Sequence, residues 1–414
     1  MSNNTDVDVV IIGAGPAGSI AAMKLLNAGL SVVVLEKATF PRYVIGESLL
    51  PHCMDYLNDL DLIDLINKEG FQVKTGATFV REGHHCQFIF KNKHTKGWDT
   101  TWQVQRERFD QVLINEAENR GADVKYRATV CGFKNADGFR KITYNNEDGV
   151  EVHIQSKFVV DASGYGRVLP KLLNLIGKTN SVPRSGAFCR IKDTKRPKHL
   201  NNNISHISFD DNKSWAWVIP FSNGTSSIGL IGDTKSVEKW MENNGQLFHE
   251  IFSSDRFFGE RFKNEELIMS IRSSTNYAST VTQLYGPGYV LCGNATEFLD
   301  PIFSSGVTLA IASGHNAATL VIDQLNGKDV DWEKDYSEHL IKGINVFRSY
   351  VKAWYDGTMA TIFFTDQFNE KTKGQLCSVL AGYVWDESNP FVSKHYRLPK
   401  TLAQVIELQS TAEK

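Results

Sequence analysis

The chain has 414 residues, 42% hydrophobic and 22% charged, a composition typical of a globular protein large enough for more than one lobe. Because 45 Lys and Arg nearly balance 47 Asp and Glu, no basic excess indicates binding to nucleic acid or to an anionic membrane surface. The apolar runs stay below the ~20 residues of a membrane-spanning helix, so we expect no membrane span.

Cysteine usage predicts a reducing compartment. The six cysteines are scattered and none falls in a C-x-x-C pair, so we expect free thiols in a cytoplasmic protein rather than disulfides or a zinc site. His84 and His85 are adjacent on a predicted strand and point to opposite faces, so we interpret them as structural and expect no metal.

The first forty residues predict a βαβ unit. A β-branched run over Val7–Ile12 is typical of a buried parallel strand, and residues 16–27 predict a helix with a proline in its first turn. Residues 31–35 predict the next strand, which ends at Glu36. The turn between the first strand and the helix reads Gly13-Ala14-Gly15-Pro16-Ala17-Gly18.

This turn is a G-x-G-x-x-G motif in the context of dinucleotide binding. Gly13 makes the tight turn, Gly15 lets a pyrophosphate approach the N–H groups at the helix start, and Gly18 lets helix and strand pack closely. Glu36 is placed to accept hydrogen bonds from ribose hydroxyls. We therefore predict a dinucleotide site rather than a chance glycine-rich turn.

The rest of the chain predicts an antiparallel sheet inserted into a nucleotide-binding fold. Short alternating strands separated by turn pairs favour that sheet between about 185 and 232. The elements predicted in chain order are a helix at 103–120, strands at 123–129, 157–160, 206–209, 215–220, 226–231 and 289–292, a helix at 306–325, and a helical, aromatic-rich tail after Asp329.

Three further segments resemble the FAD-dependent aromatic hydroxylase fold of the para-hydroxybenzoate hydroxylase type. The segments are Arg106 with Asp110, which resembles the arginine that holds the flavin; Asp161-Ala162-Ser163-Gly164, which resembles D-A-S/T-G; and Gly293-Asn294-Ala295-Thr296 with Pro301, which resembles G-D-A…P. Asn294 replaces the usual aspartate that holds the ribityl chain, and an amide can also hydrogen-bond a hydroxyl.

The resemblance implies an α/β fold: a G-x-G-x-x-G Rossmann-like FAD-binding domain (1–184 and 281–328) with an inserted, mostly antiparallel β-sheet substrate domain (185–280) and a helical C-terminal region (329–414). Arg42 resembles the arginine that approaches the flavin in this superfamily, the alternative being a plain loop arginine. The residues expected to hold FAD are Gly13, Gly15, Pro16, Ala17, Gly18, Glu36, Lys37, Arg42, Ser48, Arg106, Asp161, Gly164, Asn294, Pro301 and Gly306.

Two motifs narrow the resemblance to the flavin-dependent halogenases of the phenol and pyrrole type. They are Trp215-Ala-Trp217-Val-Ile-Pro220, which matches W-x-W-x-I-P, and Phe298-Leu-Asp-Pro301-Ile-Phe-Ser304-Ser305-Gly306, which matches F-x-x-P-x-x-S-x-G. The resemblance implies an enzyme that uses FADH2, O2 and chloride or bromide to halogenate an electron-rich phenolic or pyrrolic substrate, free or tethered to an acyl or peptidyl carrier protein. A separate flavin reductase would supply the FADH2.

By the same resemblance, a flavin hydroperoxide would oxidise the halide to hypohalous acid. The backbone N–H groups of Ser305 and Gly306, at the start of a predicted helix, would hold the halide. The alternative is that these small residues merely cap a helix beside the flavin.

The two tryptophans lie at positions i and i+2 and therefore on one face of a predicted strand. By resemblance, Trp215 and Trp217, with Pro220, would separate the flavin from the substrate cavity. The alternative is simple core packing, which is the usual role of such an aromatic pair.

The expected catalytic residue is Lys74, which lies between the glycine motif and the tryptophan motif. A lysine in that place would bind hypohalous acid or form a chloramine and pass the halogen to one carbon, for which it needs a desolvated site and a lowered pKa. The segment before it, from Gly46 to Pro51, resembles the flavin-side loop of phenol and pyrrole halogenases. Lys68, at a polar helix end, is the rival, and a solvated surface charge is the alternative for either.

Two other interpretations compete with halogenation. One is an FAD-dependent aromatic hydroxylase or a polyprenyl-type reductase of the same fold, in which Lys74 is incidental. The other is a catalytically idle flavoprotein that serves as a binding subunit, against which the complete set of FAD motifs argues.

Overall fold

The computed structural model describes residues 6–136, 138–178, 183–198, 203–209, 213–254, 258–275, 279–365 and 369–412. The strands are β1 (Val7–Ile12), β2 (Val32–Leu35), β3 (Gln72–Lys74), β4 (Gly76–Arg81), β5 (His84–Ile89), β6 (Thr101–Gln103), β7 (Asp123–Lys125), β8 (Thr129–Ala136), β9 (Phe139–Asn145), β10 (Glu151–Asp161), β11 (Ser185–Lys192), β12 (Ile204–Phe209), β13 (Ser214–Pro220), β14 (Thr225–Gly232), β15 (Arg272–Ser274), β16 (Tyr285–Gly286) and β17 (Tyr289–Leu291). The helices are α1 (Pro16–Asn27), α2 (Cys53–Asp59), α3 (Ile63–Asn67), α4 (Arg106–Asn119), α5 (Val168–Leu172), α6 (Thr234–Phe252, interrupted at 242–245), α7 (Ser305–Leu325), α8 (His339–Tyr355), α9 (Thr358–Phe363), α10 (Glu370–Leu380), α11 (Pro390–Ser393) and α12 (Leu398–Ala412).

The nucleotide-binding half is built on a sheet in the order β16-β17-β10-β1-β2-β7, with β9 added to β10 and β8 added to β9. The strands β17, β10, β1, β2 and β7 are parallel, and the βαβ unit predicted at the chain start is confirmed. The single strand predicted at 123–129 is instead two strands, because Arg127 adopts a left-handed φ of 53° between them.

The second sheet has seven strands in the order β15-β11-β14-β13-β12-β4-β5. All its pairs are antiparallel except β12 with β4, so the mostly antiparallel sheet is confirmed. The sheet also recruits β4 and β5 from upstream of the predicted insertion at 185–280. The prediction that residues 185–280 form a separate substrate domain stays a prediction.

The C-terminal helices pack against the second sheet and complete a shared aromatic core. Phe79 of β4 lies 4.8 Å from the ring of Phe363 and 5.6 Å from Trp354, measured between centroids. Trp354 also lies against Phe303, which comes just before α7. The predicted helical tail is therefore confirmed, and its helices α8 and α9 pack against the second sheet.

Among the described helices, α7 has the length and mean hydropathy of a membrane-spanning helix. In the structure 61% of its apolar window is buried inside the protein, and Gly314 lets it approach α1 closely, because a Cβ there would lie 2.3 Å from the Ala17 carbonyl oxygen. The six cysteines are free, and the described part of the chain contains no cluster of three or more His, Cys, Asp or Glu side chains that could hold a metal ion.

Candidate active site

The glycine motif forms a turn in which Gly13 and Gly18 are fixed by packing. Gly13 has φ of +97°, and a Cβ on it would lie 2.6 Å from the Ala162 carbonyl oxygen. A Cβ on Gly18 would lie 1.9 Å from the Gly13 carbonyl oxygen. Gly15 differs, because a Cβ there would meet only the Arg42 guanidinium, at 3.6 Å. Gly15 therefore faces open space where a ligand can approach the start of α1.

That open space belongs to a cavity of about 460 Å³, which we call the glycine-loop cavity. It runs from Gly13 and Gly15 past Glu36 and Lys37 to Gly306 at the start of α7. The Glu36 carboxylate accepts hydrogen bonds from the N–H groups of Ala14, at 2.8 Å, and Ala38, at 3.0 Å. These bonds hold the carboxylate at the carboxyl end of β2, where a ribose would lie in a dinucleotide site.

Arg42 provides a cation beside the glycine turn. Its guanidinium lies 3.6 Å from a Glu36 oxygen and 3.5 Å from an Asp110 oxygen, and it borders Gly15. Its Nε is buried and makes no hydrogen bond within the described residues. A spare cationic donor beside the N–H groups of a helix start fits the pyrophosphate of FAD. Arg42 therefore lies at the phosphate end of the cavity.

Arg106, at the start of α4, fixes the loop that precedes α2. Its guanidinium forms a two-pronged ion pair with Asp110, at 2.7 and 3.0 Å. The same group donates to the carbonyls of Ile45, at 3.0 Å, and Gly46, at 3.3 Å. Burial of this pair makes it a rigid support for the loop that leads to Ser48.

A second cavity of about 100 Å³ lies against β12 and β13, and we call it the aromatic cavity because Phe188, Trp215, Trp217 and Phe298 line it. Ser48, Pro301 and Ser304 also line it. The residues that border both cavities are Ile45, Arg106, Tyr165, Asn294, Gly306 and Val307. The two cavities therefore meet at the start of α7, where the reacting end of a dinucleotide cofactor would reach the aromatic cavity.

Trp215 and Trp217 point to the same face of β13, as predicted, and both are buried. The Trp215 indole N–H donates to the Tyr355 hydroxyl at 3.1 Å, and that hydroxyl donates to an Asp300 oxygen at 2.7 Å. Trp217 donates to the Ser227 hydroxyl at 3.1 Å. Each indole is thus held in one orientation, and both border the aromatic cavity but not the glycine-loop cavity.

The Ser304-Ser305-Gly306 turn starts α7 without a side-chain cap. Ser304 is left-handed, with φ of 56°, and its N–H donates to the Pro301 carbonyl at 2.9 Å. The first N–H groups of a helix have no partner within the helix, and none here is bonded by a side chain of the capping residue. Gly306 borders both cavities, so an anion at the junction could approach the start of α7 there.

Lys74 ends β3 and is almost completely buried, with a relative exposure of 1%. Its ammonium group donates to the Leu49 carbonyl at 2.8 Å and lies 5.4 Å from the centre of the Phe90 ring. Burial lowers the pKa of Lys74 to about 7. The rival Lys68 is exposed at the end of α3. Of the two lysines, Lys74 alone has a desolvated amine.

Lys74 does not itself border the aromatic cavity. Its hydrogen-bond partner Leu49 directly follows Ser48, which borders that cavity. The buried Ser48 hydroxyl has no hydrogen-bond partner among the described residues. Lys74 therefore lies behind the cavity wall, hydrogen-bonded to the residue next to Ser48, which lines the cavity.

Of the other predicted site residues, some border a cavity and some lie behind the cavity surfaces. Asp161 accepts hydrogen bonds from the N–H groups of Ser163, at 2.9 Å, and Leu169, at 2.7 Å, and so shapes the turn that places Gly164 on the glycine-loop cavity. The Pro220 carbonyl accepts from the Gln103 amide at 2.6 Å. Ser305, Gly18 and Pro220 border neither cavity. Pro16 and Ala17 border the glycine-loop cavity.

Sequence reasoning missed three residues of the site. Tyr165 directly follows the D-A-S-G segment and borders both cavities, and its position after Gly164 was a usable signal. Tyr355 reaches the site from α8, and His206 borders the aromatic cavity from β12. The pairing of β12 with β13 places His206 opposite Trp217, a register that the sequence does not display.

Comparison with known proteins places the chain among FAD-binding proteins. Residues 6–339 match the family model described as an FAD binding domain. The 1H-pyrrole-2-carbonyl-(peptidyl-carrier protein) brominase of Pseudoalteromonas luteoviolacea is 30% identical over 335 residues, which cover 80% of this chain and 80% of the brominase.

Two solved structures are similar over nearly the whole chain. A Cytophaga hutchinsonii protein described as a flavoprotein/dehydrogenase is 43% identical, with a TM-score of 0.95 and coverage of 98% of this chain and 99% of its own. The flavin-dependent brominase Bmp2 is 26% identical, with a TM-score of 0.81 and coverage of 98% and 99%.

Proposed function

Because the chain belongs to the flavin-dependent halogenases of the FAD-binding fold, we propose that it halogenates an electron-rich phenolic or pyrrolic ring and that Lys74 delivers the halogen. The observation that carries the proposal is the buried, hydrogen-bonded amine of Lys74, placed one residue behind the aromatic cavity. Reduced FAD and O2 supply the oxidising power for chloride or bromide. FAD binds in the glycine-loop cavity, and a separate flavin reductase supplies it in the reduced form.

The protein residues divide the work between the two cavities. The N–H groups at the start of α1 and Arg42 bind the pyrophosphate, and Asn294 lies at the junction to hydrogen-bond the ribityl chain. The N–H groups of Ser305 and Gly306 hold the halide. Trp215 and Trp217 form a wall on the aromatic-cavity side of the junction and limit how closely the substrate ring approaches the flavin. The oxidised halogen passes Ser48 to reach Lys74.

The volume of the aromatic cavity supports a substrate with a single ring. A cavity of about 100 Å³ is somewhat smaller than the ~150 Å³ apolar cavity that holds a benzene molecule, so some adjustment of the wall accompanies binding. The similarity to a brominase named for pyrrole on a carrier protein supports a pyrrolic ring, free or tethered to a carrier.

The experiment that tests the function combines the FAD-loaded protein with a flavin reductase, O2, bromide and a panel of phenols and pyrroles, each free or carrier-tethered. Mass spectrometry of the products should show the paired isotope pattern of bromine for at least one ring. Absence of bromine from every product, with FADH2 consumed, would contradict the proposal.

The yield of halogenated product should rise with pH. Because burial lowers the pKa of Lys74 to about 7, the neutral amine that attacks electrophilic halogen is scarce below that pH and predominates above it. The measurement is the ratio of halogenated product to FADH2 oxidised, which corrects for the pH dependence of the flavin steps. A ratio independent of pH across this range would contradict the role of the neutral amine.

Gly306→Pro is expected to weaken halide binding. Proline is tolerated in the first turn of a helix but removes one N–H group, and loss of one hydrogen bond to an anion costs about 1.4 kcal/mol, or roughly ten-fold in the KM for bromide. Gly306→Ala keeps the N–H group, and its Cβ would lie at an ordinary 3.7 Å from Phe298. The alanine variant should keep the wild-type KM for bromide. An unchanged KM in the proline variant, with FAD bound, would remove this turn as the halide site.

A further inference from the structure

We propose that His206 is a substrate-positioning residue, which accepts a hydrogen bond from an N–H or O–H group on the ring and so selects aromatic substrates that carry such a donor. This inference deepens the proposed function and rests on it, because the proposed function supplies the assumption that the ligand is an electron-rich ring. The geometric evidence for it, the stacking and the unpaired nitrogens of His206, does not involve Lys74.

Aromatic rings on the two neighbouring strands hold the imidazole of His206 in one orientation. The parallel pairing of β12 with β4 places it opposite Phe79, and the two rings stack at 4.7 Å between centroids with 13° between their planes. Trp215 lies 5.7 Å away on the other side. His206 also borders the aromatic cavity, so this fixed side chain forms part of the wall against which a bound ring would lie.

The polar atoms of His206 lack the partners that a purely structural histidine would have. The side chain is 2% exposed, and neither ring nitrogen makes a hydrogen bond of acceptable geometry with a described residue. The Thr78 backbone is close enough to favour the protonated ring, but the stronger effects are burial and then the Lys74 charge. Together these lower the pKa of His206 to about 3.

A neutral imidazole has one N–H donor and one acceptor nitrogen. A backbone carbonyl at Thr78 would accept only from the imidazole N–H group. The other ring nitrogen then stays available as an acceptor for a donor on the ligand. Buried polar atoms are nearly always paired in native proteins, so nitrogens without a partner among the described residues, on a side chain that borders a cavity, are suited to pair with a ligand. A ring N–H or O–H is the complementary group.

This contact would also favour the reaction. When the halogen passes from the Lys74 nitrogen to the ring, the carbon–halogen bond forms and the nitrogen–halogen bond breaks with its electron pair returning to nitrogen. The nitrogen takes up a proton from water, which regenerates the free amine, and the ring carbon loses its proton to water. Positive charge develops on the ring before that proton leaves, and it acidifies the N–H or O–H group. The hydrogen bond to His206 therefore strengthens as the reaction proceeds.

The test compares ligands that differ only in the donor: phenol with anisole, and pyrrole with N-methylpyrrole. Calorimetry on the FAD-loaded wild type should show about ten-fold tighter binding of the donor in at least one pair. His206→Phe, which keeps a stackable ring, should bring that ratio to about one. His206→Gln, which keeps an acceptor oxygen, should restore part of it.

Ser205→Ala is the matched control, because the buried Ser205 hydroxyl also has no hydrogen-bond partner among the described residues, but Ser205 does not border the cavity. It should keep the wild-type ratio. His206→Phe should melt at or above the wild-type temperature, because it removes unpaired polar atoms, whereas a structural histidine would lose stability. A wild type without donor preference, a preference retained in His206→Phe, or no binding of any of the four ligands would overturn the inference. If the binding ratio depends on His206 but the enzyme incorporates no halogen, the proposed function is contradicted and the inference about His206 is not.

Discussion

Lys74→Met is expected to abolish halogenated product, with a fall of at least about 100-fold, while FADH2 oxidation continues at the wild-type rate. The amine that carries the halogen is lost, but the flavin-side residues of the glycine-loop cavity are untouched. Oxidised halogen should then escape as hypohalous acid, which a chlorination-sensitive dye detects. Lys74→Arg should fail as well, because a guanidinium stays protonated and cannot act as a neutral nucleophile.

Lys68→Met is the matched control, since Lys68 is exposed and should be replaceable without effect on halogenation. The melting temperature of Lys74→Met, measured below pH about 7, should also equal or exceed that of the wild type. There the folded protein bears the full cost of burying a charged Lys74, a cost that falls as the pH rises through the lowered pKa toward the unfolded value. Near wild-type halogenation by Lys74→Met would show that another group delivers the halogen.

Gly15→Val is expected to weaken FAD binding by at least about 100-fold, because two charge-assisted hydrogen bonds to the pyrophosphate are worth roughly 3 kcal/mol. Gly15 has φ of −78° and ψ of −175°, a conformation that valine accepts, and a Cβ there meets only Arg42. The variant should therefore fold, with its side chain filling the space of the pyrophosphate.

Flavin fluorescence titration measures the affinity, and circular dichroism checks the fold. Gly18→Val provides the contrast, since its Cβ would collide with the Gly13 carbonyl oxygen and should disrupt the fold together with FAD binding. Wild-type affinity in a folded Gly15→Val would show that the pyrophosphate lies elsewhere.

The nucleotide-binding half could be predicted from sequence because its signals are local. The glycine turn, the proline in the first turn of α1 and Glu36 at the end of β2 lie within one continuous βαβ unit. The same holds for the alternation that places Trp215 and Trp217 on one face of β13. Such features need only the periods of a strand and a helix.

The remaining features depend on contacts between distant segments. The second sheet gains β4 and β5 through the parallel pairing of β12 with β4, for which no turn sequence exists. The same pairing brings His206 to the cavity, and the packing of α8 brings Tyr355 to Trp215. The burial of Lys74 depends on the carbonyl of Leu49, 25 residues away in the chain. Sequence patterns indicated which lysine to consider, but not its hydrogen bond or its place behind the cavity wall.

The most direct test of the central claim is the fate of oxygen and halide in one product. The wild-type enzyme, loaded with FADH2 and a ring that it accepts, is given heavy-isotope O2 and bromide, and the product is examined by mass spectrometry. The account predicts a product that carries bromine and no heavy oxygen. A product that carries heavy oxygen without bromine, or one that has only lost hydrogen, would contradict it and identify the protein as a hydroxylase or a dehydrogenase.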